Sequence, residues 1–335
     1  MYRVMEQKAA LEDIGKAYGI QNMYRDISSD KCMLFEELLS QLESSAAKIA
    51  QDILSSSEIL MTRTRLMDLK KFLALMMYRS EYRRQQYAED RFDFTTRQSI
   101  QRHMRFNNID NIQDVWFENL KWIIKTPTND ITNIAAKIFE SRDFIAAGME
   151  YQGPIHCSEL MDFSFLMSNY VCIWQAPEGS EFILSDTCFG CFEGHGAMVF
   201  HSIFILSPKY AIVLVNRLYM FGGMEKLPFR KSWFEDFHAN PDIIYSKQGT
   251  TDPKDFTPND VFKYRRIVLP RQKVWLVNSI ILDARQKYIS HKSDVSLYRS
   301  LLFYDKNKKK LFANRHDYSD LKRKLFAEMN RTHHN

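Results

Sequence analysis

The stretch from Glu178 to Val215 constrains this chain more than any other. Phe182-Ile183-Leu184 is a short apolar run that ends at Ser185-Asp186 and gives way to a glycine-punctuated loop. A second run, Ser202 to Leu206, breaks at Ser207-Pro208-Lys209 and resumes as Ala211-Ile212-Val213-Leu214-Val215. Short β-branched runs bounded by Gly, Pro, Ser and Asp read as strands joined by turns, so a sheet core is expected here. Asp186 then stands at the end of a buried strand. Tyr170–Trp174 reads as one further strand, which enters the stretch through the turn Ala176-Pro177-Glu178-Gly179.

The rest of the chain has a mostly helical period. Leu38, Leu42, Ala46, Ile49 and Ile53 recur at helical spacing over 34–54, with Glu36, Glu37 and Glu43 toward the positive N-terminal end. The strongest pattern covers 62–88. Its face of Leu66, Leu69, Phe72, Leu73, Leu75, Met76 and Tyr78 is too wide for a surface helix and turns polar at Arg79. Further helices are expected over 4–18, 95–105, 111–124 and 130–151. Beyond the sheet, 222–260 reads as irregular, Phe262–Leu269 as an edge strand ending at Pro270, and 271–285 as a helix. Tyr288–Ser290 reads as extended, Asp294 as the cap of a helix reaching Tyr304, and the tail as a last helix.

Helices that precede and follow the strands, rather than alternating with them, indicate an α+β fold. The expectation is an N-terminal helical bundle packed on a small, mostly antiparallel sheet, with a helical C-terminal part. It reads as a single domain over 1–335: 1–155 mainly helical, 156–220 the sheet core, 221–260 an irregular insertion, and 261–335 mixed.

A chain of 335 residues can bury a substantial core. Its formal charge of +5 is too weak to indicate nucleic acid without a concentrated patch. The tail, with Lys308-Lys309-Lys310 and Lys322-Arg323-Lys324, is where such a patch could lie. Five cysteines form an odd, sparse set that fits a reducing compartment. The N-terminus has no apolar signal core, and the apolar runs fall far short of the roughly 20 residues that span a bilayer. A soluble intracellular protein is expected, cytoplasmic or nuclear, with no membrane segment. There is no Gly-rich phosphate loop, nucleophile elbow, HExxH or kinase set, so neither a cofactor nor a partner can be named.

Four residues stand out as candidates. Asp186 is a carboxylate at a strand end, costly to bury without a donor or cation; it is either a turn cap or a polar anchor, base or metal ligand. Arg79, where the long apolar face ends, either snorkels to solvent or pairs with Asp186 or Glu43. Glu43 lies among apolar positions of its own helix, and Asn278 interrupts the apolar run Val277–Ile280, where it could bond sheet backbone. Cys188 and Cys191, with His195 and His201 downstream, have zinc-ligand chemistry but loose spacing, and no metal site is assigned. His156 beside Cys157 offers a base and a nucleophile that adjacency rarely aligns.

Several of these pieces fall in a familiar order. They are Asn22-Met23-Tyr24-Arg25-Asp26, the Leu42-Glu43 helix, the Phe72–Arg84 segment, Glu181–Asp186 with Phe192-Glu193-Gly194, Ser207-Pro208-Lys209, and Val277-Asn278-Ser279-Ile280. In this the chain resembles the family known as domain of unknown function 4238, found in bacteria and many fungi, over nearly its whole length. The resemblance implies no activity, but Glu43, Arg79, Asp186 and Asn278 all fall on its recurrent motifs, which implies a shared pocket. Members open with a His-Pro-Leu-Arg-Phe type segment, and this chain reads as starting after it; an inactive or incomplete site is the corresponding expectation. Cys188 and Cys191 stand where the family does not call for cysteine. Two function classes follow: an accessory or interaction protein with a structural Arg79–Asp186 ion pair, or a hydrolase or nucleic-acid-processing enzyme. In the second, Asp186 and Glu43 supply acid/base or metal-ligand oxygens, and Arg79 holds an anion.

Overall fold

The structure, a computed structural model, describes residues 2–3, 8–9, 29–187, 189–195, 198–217, 231–239, 241–245, 257–285 and 287–332. It is α+β, with a helical N-terminal part, small mostly antiparallel sheets and a helical C-terminal part.

The helical part comprises α1 (Ser29–Ser55), α2 (Arg63–Tyr78), α3 (Glu81–Ala88), α4 (Phe94–Asn107), α5 (Ile112–Lys125), α6 (Thr128–Phe139), α7 (Phe144–Glu150) and α8 (Cys157–Ser168). The helix expected over 62–88 is two helices. Thr62 caps α2 by accepting from Arg65 N, and Ser80 caps α3 by accepting from Arg83 N. A serine that bonds the backbone ahead of it starts a new helix in preference to continuing the old one. The same device divides 130–151, where Asp143 accepts from Ala146 N and opens α7. Residues 157–168, expected within the sheet core, are helical instead: Leu160, Phe163 and Met167 recur at helical spacing and pack with Phe35, Leu75, Trp116, Phe117 and Leu120.

The largest sheet holds five strands: β4 (Tyr170–Gln175), β6 (Cys191–His195), β7 (Met198–Ile205), β8 (Tyr210–Val215) and β11 (Arg266–Val268). Their order is β11-β4-β8-β7-β6, antiparallel throughout except for the parallel β11–β4 pair. Every position of β8 is buried, because both faces of the sheet are covered. Alternation along the strands sorts the two faces. Val171, Ile173, Ile212 and Leu214 meet Ile49 and Ile53 of α1 and Leu69 and Leu73 of α2. Cys172, Trp174, Val213 and Val215 meet Val274, Val277 and Ile281 of α9 (Arg271–Ala284) and Leu297 and Leu301 of α10 (Asp294–Leu311). The sheet thus lies between α1–α2 and α9–α10. A last helix, α11 (Ser319–Thr332), adds Leu321 and Leu325 to the second core.

Two smaller sheets flank it. β3 (Ile59–Thr62), β10 (Val261–Tyr264) and β9 (Asp242–Tyr245) form one. The single edge strand expected over 262–269 is therefore two strands, β10 and β11, serving different sheets on either side of Arg265. The other sheet has the order β2-β1-β12-β5, from Lys8–Ala9, Tyr2–Arg3, Tyr288–Ser290 and Leu184–Ser185. Lys8–Ala9 form a strand where a helix over 4–18 is expected; most of that segment lies outside the described residues. Ser293, not Asp294, caps α10 by accepting from Ser296 N. Ahead of β5, Gly179 adopts a left-handed φ of +73° that closes the turn in which Ser180 N donates to Pro177 O. Among the described residues, no helix is long and apolar enough to cross a membrane.

Candidate functional site

Asn278 sits in the middle of α9 with no exposed surface. Its Oδ1 accepts from Ile183 N at 3.0 Å, and its Nδ2 donates to Glu181 O at 2.8 Å and to Ser300 Oγ at 2.9 Å. One side chain therefore holds the segment before β5 by both backbone polarities, where no strand ladder exists to do so. Glu181 N donates to Ser296 Oγ at 3.0 Å, and Ser293 N donates to the Glu181 carboxylate at 2.8 Å, which ties the same segment to the start of α10.

Asp186 lies immediately after β5. Its Oδ2 accepts from Lys287 N at 2.8 Å, just before β12, and its Oδ1 from Tyr288 N at 3.2 Å, the first residue of β12. The carboxylate fixes the register in which Ile289 faces Ser185. Lys287 Nζ reaches both carboxylate oxygens of Glu81 at 3.0 Å, linking this strand pair to the first turn of α3.

Arg79 is the C-cap of α2, where a cation suits the negative helix end. Its Nη2 donates to Glu36 Oε1 at 3.1 Å, and its Nη1 lies 3.9 Å from Glu43 Oε1. Glu36 and Glu43 are two turns apart on α1 and so share a face. The structure thus brings Arg79 together with Glu43, and Asp186 together with the segment that Asn278 holds. The expected Arg79–Asp186 pair is not among the ion pairs of the described residues: α1 supplies carboxylates at the guanidinium, while Asp186 accepts from backbone N–H groups.

A denser polar cluster lies inside the helical part. Glu159, in the first turn of α8, is 2% exposed. It accepts from Tyr87 Oη at 2.5 Å and His156 Nδ1 at 2.7 Å, with Arg83 Nη2 at 3.4 Å. Burial pushes this carboxyl up, but His156, Arg83 and Tyr87 together overcome it and hold the group down at about 2. Arg83 also reaches Asp162 at 3.3 Å. His156 N donates to Asn119 Oδ1 at 3.0 Å, Asn119 Nδ2 donates to Tyr78 Oη at 3.1 Å, and Tyr78 and Tyr87 share a 3.1 Å hydroxyl contact. The outer ring nitrogen, His156 Nε2, lies 3.1 Å from Ser99 Oγ on α4. His156 is thus engaged by Ser99 and Glu159, and the neighbouring Cys157 thiol is pushed up to about 11, chiefly by burial and further by Glu159. With both ring nitrogens of His156 on other partners, the pairing with the Cys157 thiol that the His156–Cys157 reading requires is not formed.

Two lysines of α2 enter the same core. Lys70 Nζ donates to Met167 O at 2.9 Å in the last turn of α8, and Lys71 Nζ donates to Ile124 O at 3.0 Å and Thr126 O at 2.8 Å at the end of α5. Each satisfies carbonyls that a helix C-terminus leaves unpaired. Burial lowers Lys70 to about 7 and Lys71 to about 8.

On the sheet side, Glu193 Oε2 accepts from Ser232 Oγ at 2.9 Å and lies 3.1 Å from His201 Nδ1, while its Oε1 accepts from Trp233 N at 3.2 Å. His201 thus has a carboxylate partner. Cys188 and the His195 side chain lie outside the described residues, and Cys191 donates to Thr187 O. Among the described residues, no group of three or more His, Cys, Asp or Glu could hold a metal ion.

Sequence reasoning missed Glu159, Arg83 and Ser99. Glu159 had a legible signal: it falls on the helical stripe of Phe163 and Met167, a charged position among apolar ones. Ser99 and Arg83 had none, since each meets the cluster from a helix remote in sequence.

The chain belongs to the family described as protein of unknown function (DUF4238), whose sequence model matches residues 5–294. All the residues described in this subsection except Ser296 and Ser300 lie within that span. No curated protein and no solved structure matches the chain.

Proposed function

We propose that this DUF4238 member is an accessory or interaction protein, and that Asn278, Asp186, Arg79 and Glu43 hold its architecture together instead of performing chemistry. The observation that carries this reading is Asn278: its amide is fully buried and spends one acceptor and both donors on Ile183, Glu181 and Ser300. Such a group offers nothing to a ligand without breaking internal bonds. Asp186, accepting from two backbone N–H groups at the start of a strand, is consistent with the same role.

The enzyme reading, with Asp186 and Glu43 as acid/base or metal ligands and Arg79 as anion holder, has one observation in its favour. Glu43 is half exposed and 3.9 Å from the Arg79 guanidinium, a spacing an anionic ligand could compete for. Thermal unfolding of wild type, Asp186→Ala, Arg79→Ala and the double variant separates the two, each with and without magnesium, manganese or zinc. The accessory reading expects additive losses that no metal alters. A metal-dependent rise in midpoint that Asp186→Ala abolishes would overturn it and install the enzyme reading.

A further inference from the structure

We propose that Ser99, His156 and Glu159 form a nucleophile–base–carboxylate relay, and that Ser99 is acylated by simple carboxylic esters. The inference concerns a different site from the motif residues and does not rest on their role.

The geometry follows from one constraint. Glu159 is buried, ionised and therefore only an acceptor, so His156 Nδ1, 2.7 Å away, must carry the proton. Whenever the imidazole is neutral, Nε2 holds the lone pair and Ser99 Oγ, 3.1 Å away, donates to it. This is the arrangement in which a base removes the proton of an attacking hydroxyl, while an acid behind it fixes the tautomer. Tyr87 and Arg83 hold the other side of the carboxylate, so Glu159 cannot rotate away. Ser99 itself is only half-buried, and by helical spacing its neighbours on α4 are the exposed Thr95 and Arg102 and the buried His103.

His103 supplies a second, independent observation. Asn107 Nδ2 faces His103 O at 3.1 Å and Gly153 O at 3.0 Å, which identifies it as the amide nitrogen. It lies 3.2 Å from His103 Nδ1, so that ring nitrogen accepts. The proton of His103 is therefore on Nε2, which is buried and has no hydrogen-bond partner. An orphaned N–H donor one turn from the serine, on a ring whose centroid is 5.7 Å from that of His156, is of the kind that stabilises a developing oxyanion. A single donor suits esters, whose cleavage demands less than that of amides.

In the proposed step, Ser99 Oγ bonds to the ester carbonyl carbon as its proton passes to His156 Nε2. The carbonyl oxygen carries the negative charge until the C–O bond to the leaving alcohol breaks. His156 returns the proton to that alcohol, leaving acyl-Ser99. Water attacks the acyl carbon, gives one proton to His156, and releases the carboxylic acid as Ser99 Oγ recovers its proton.

The test treats the intact chain with a fluorophosphonate and with p-nitrophenyl butyrate, and maps the adduct by peptide mass. The expected result is a phosphonyl adduct on Ser99 and ester turnover. Ser99→Ala, with an unchanged unfolding midpoint, should abolish both, and His156→Gln should slow labelling by about 100-fold or more. Because His156→Gln could unfold the helical part, His103→Gln is measured as well; it should slow turnover with less effect on the midpoint. Failure of the folded wild type to label at Ser99 would overturn the proposal, as would labelling that His156→Gln and His103→Gln leave unchanged.

Discussion

The surroundings of α8 and the Asn278 contacts of α9 bury polar groups by opposite means, while Glu193 and His201 carry a carboxylate–imidazole contact into the sheet as well. Around α8 they gather on one carboxylate, Glu159 with Arg83 and His156, and Lys70 and Lys71 donate to carbonyls nearby. Around α9 they are mostly neutral and engage the backbone, as Asn278 does with Ile183 and Glu181, Ser296 with Glu181, and Trp174 with Phe237 O. The ionic arrangement joins helices that have no backbone hydrogen bonds to exchange with one another. The neutral one fastens a strand-like segment whose backbone groups need partners. The lesson is that the packing around α8 depends on protonation and the contacts of Asn278 do not.

The largest expected effect sharpens that contrast. Glu159→Ala leaves the buried His156 and Tyr87 without their acceptor and removes one of the carboxylates of the half-buried Arg83, and should cost about 3–5 kcal/mol in urea unfolding. Asn278→Ala strips partners from a buried N–H, a carbonyl and a hydroxyl, and should cost about 2–3 kcal/mol by the same measurement, unchanged between pH 5 and 8. A loss that varied with pH would break the distinction between the two regions.

The pH dependence itself comes next. Burial, with His156 adding to it, lowers His103 to about 4. A folded pKa below the unfolded one means that the unfolded chain binds the extra proton. The contribution is therefore fully present above about 6.5 and lost as pH falls toward 4, at most about 3 kcal/mol. The depressed Glu159 contributes above its ordinary range near 4.5, and that contribution is lost only as pH falls on toward 2. Hydrogen exchange at pH 5 should accordingly show α4 and α8 opening more readily than at pH 7, with the Ile183 amide that Asn278 holds little changed. Smallest of all is Arg79→Ala. Its glutamate partners are nearly half exposed, so the loss should stay below about 1 kcal/mol and shrink further in high salt.

Much of the fold is legible in residues that answer to local rules. β4, β7 and β8 follow from β-branched runs between turn residues, α9 from Pro270 followed by Val274, Val277 and Ile281, and Asn278 stands out as a polar side chain among them. The helix breaks at Ser80 and Asp143 were missed because a capping side chain competes with an apolar face that continues on both sides of it. The Ser99–His156–Glu159–Arg83 arrangement was hidden for another reason. Arg83 lies 76 residues from Glu159 and Ser99 lies 57 from His156, so no window of sequence holds the set. Only the packing of α3, α4 and α8 assembles it.

The two lysines of α2 have a further consequence. Each amine reaches its carbonyls only when the last turns of α5 and α8 are formed, and is hidden once they are. Burial is what lowers them to about 7 and 8, so an amine that swings out to solvent regains the ordinary lysine range and its charge, and it reacts only during such openings. The rate at which an amine-directed reagent modifies Lys70 and Lys71 in the native protein therefore becomes a clock for how often α2 lifts from its neighbours.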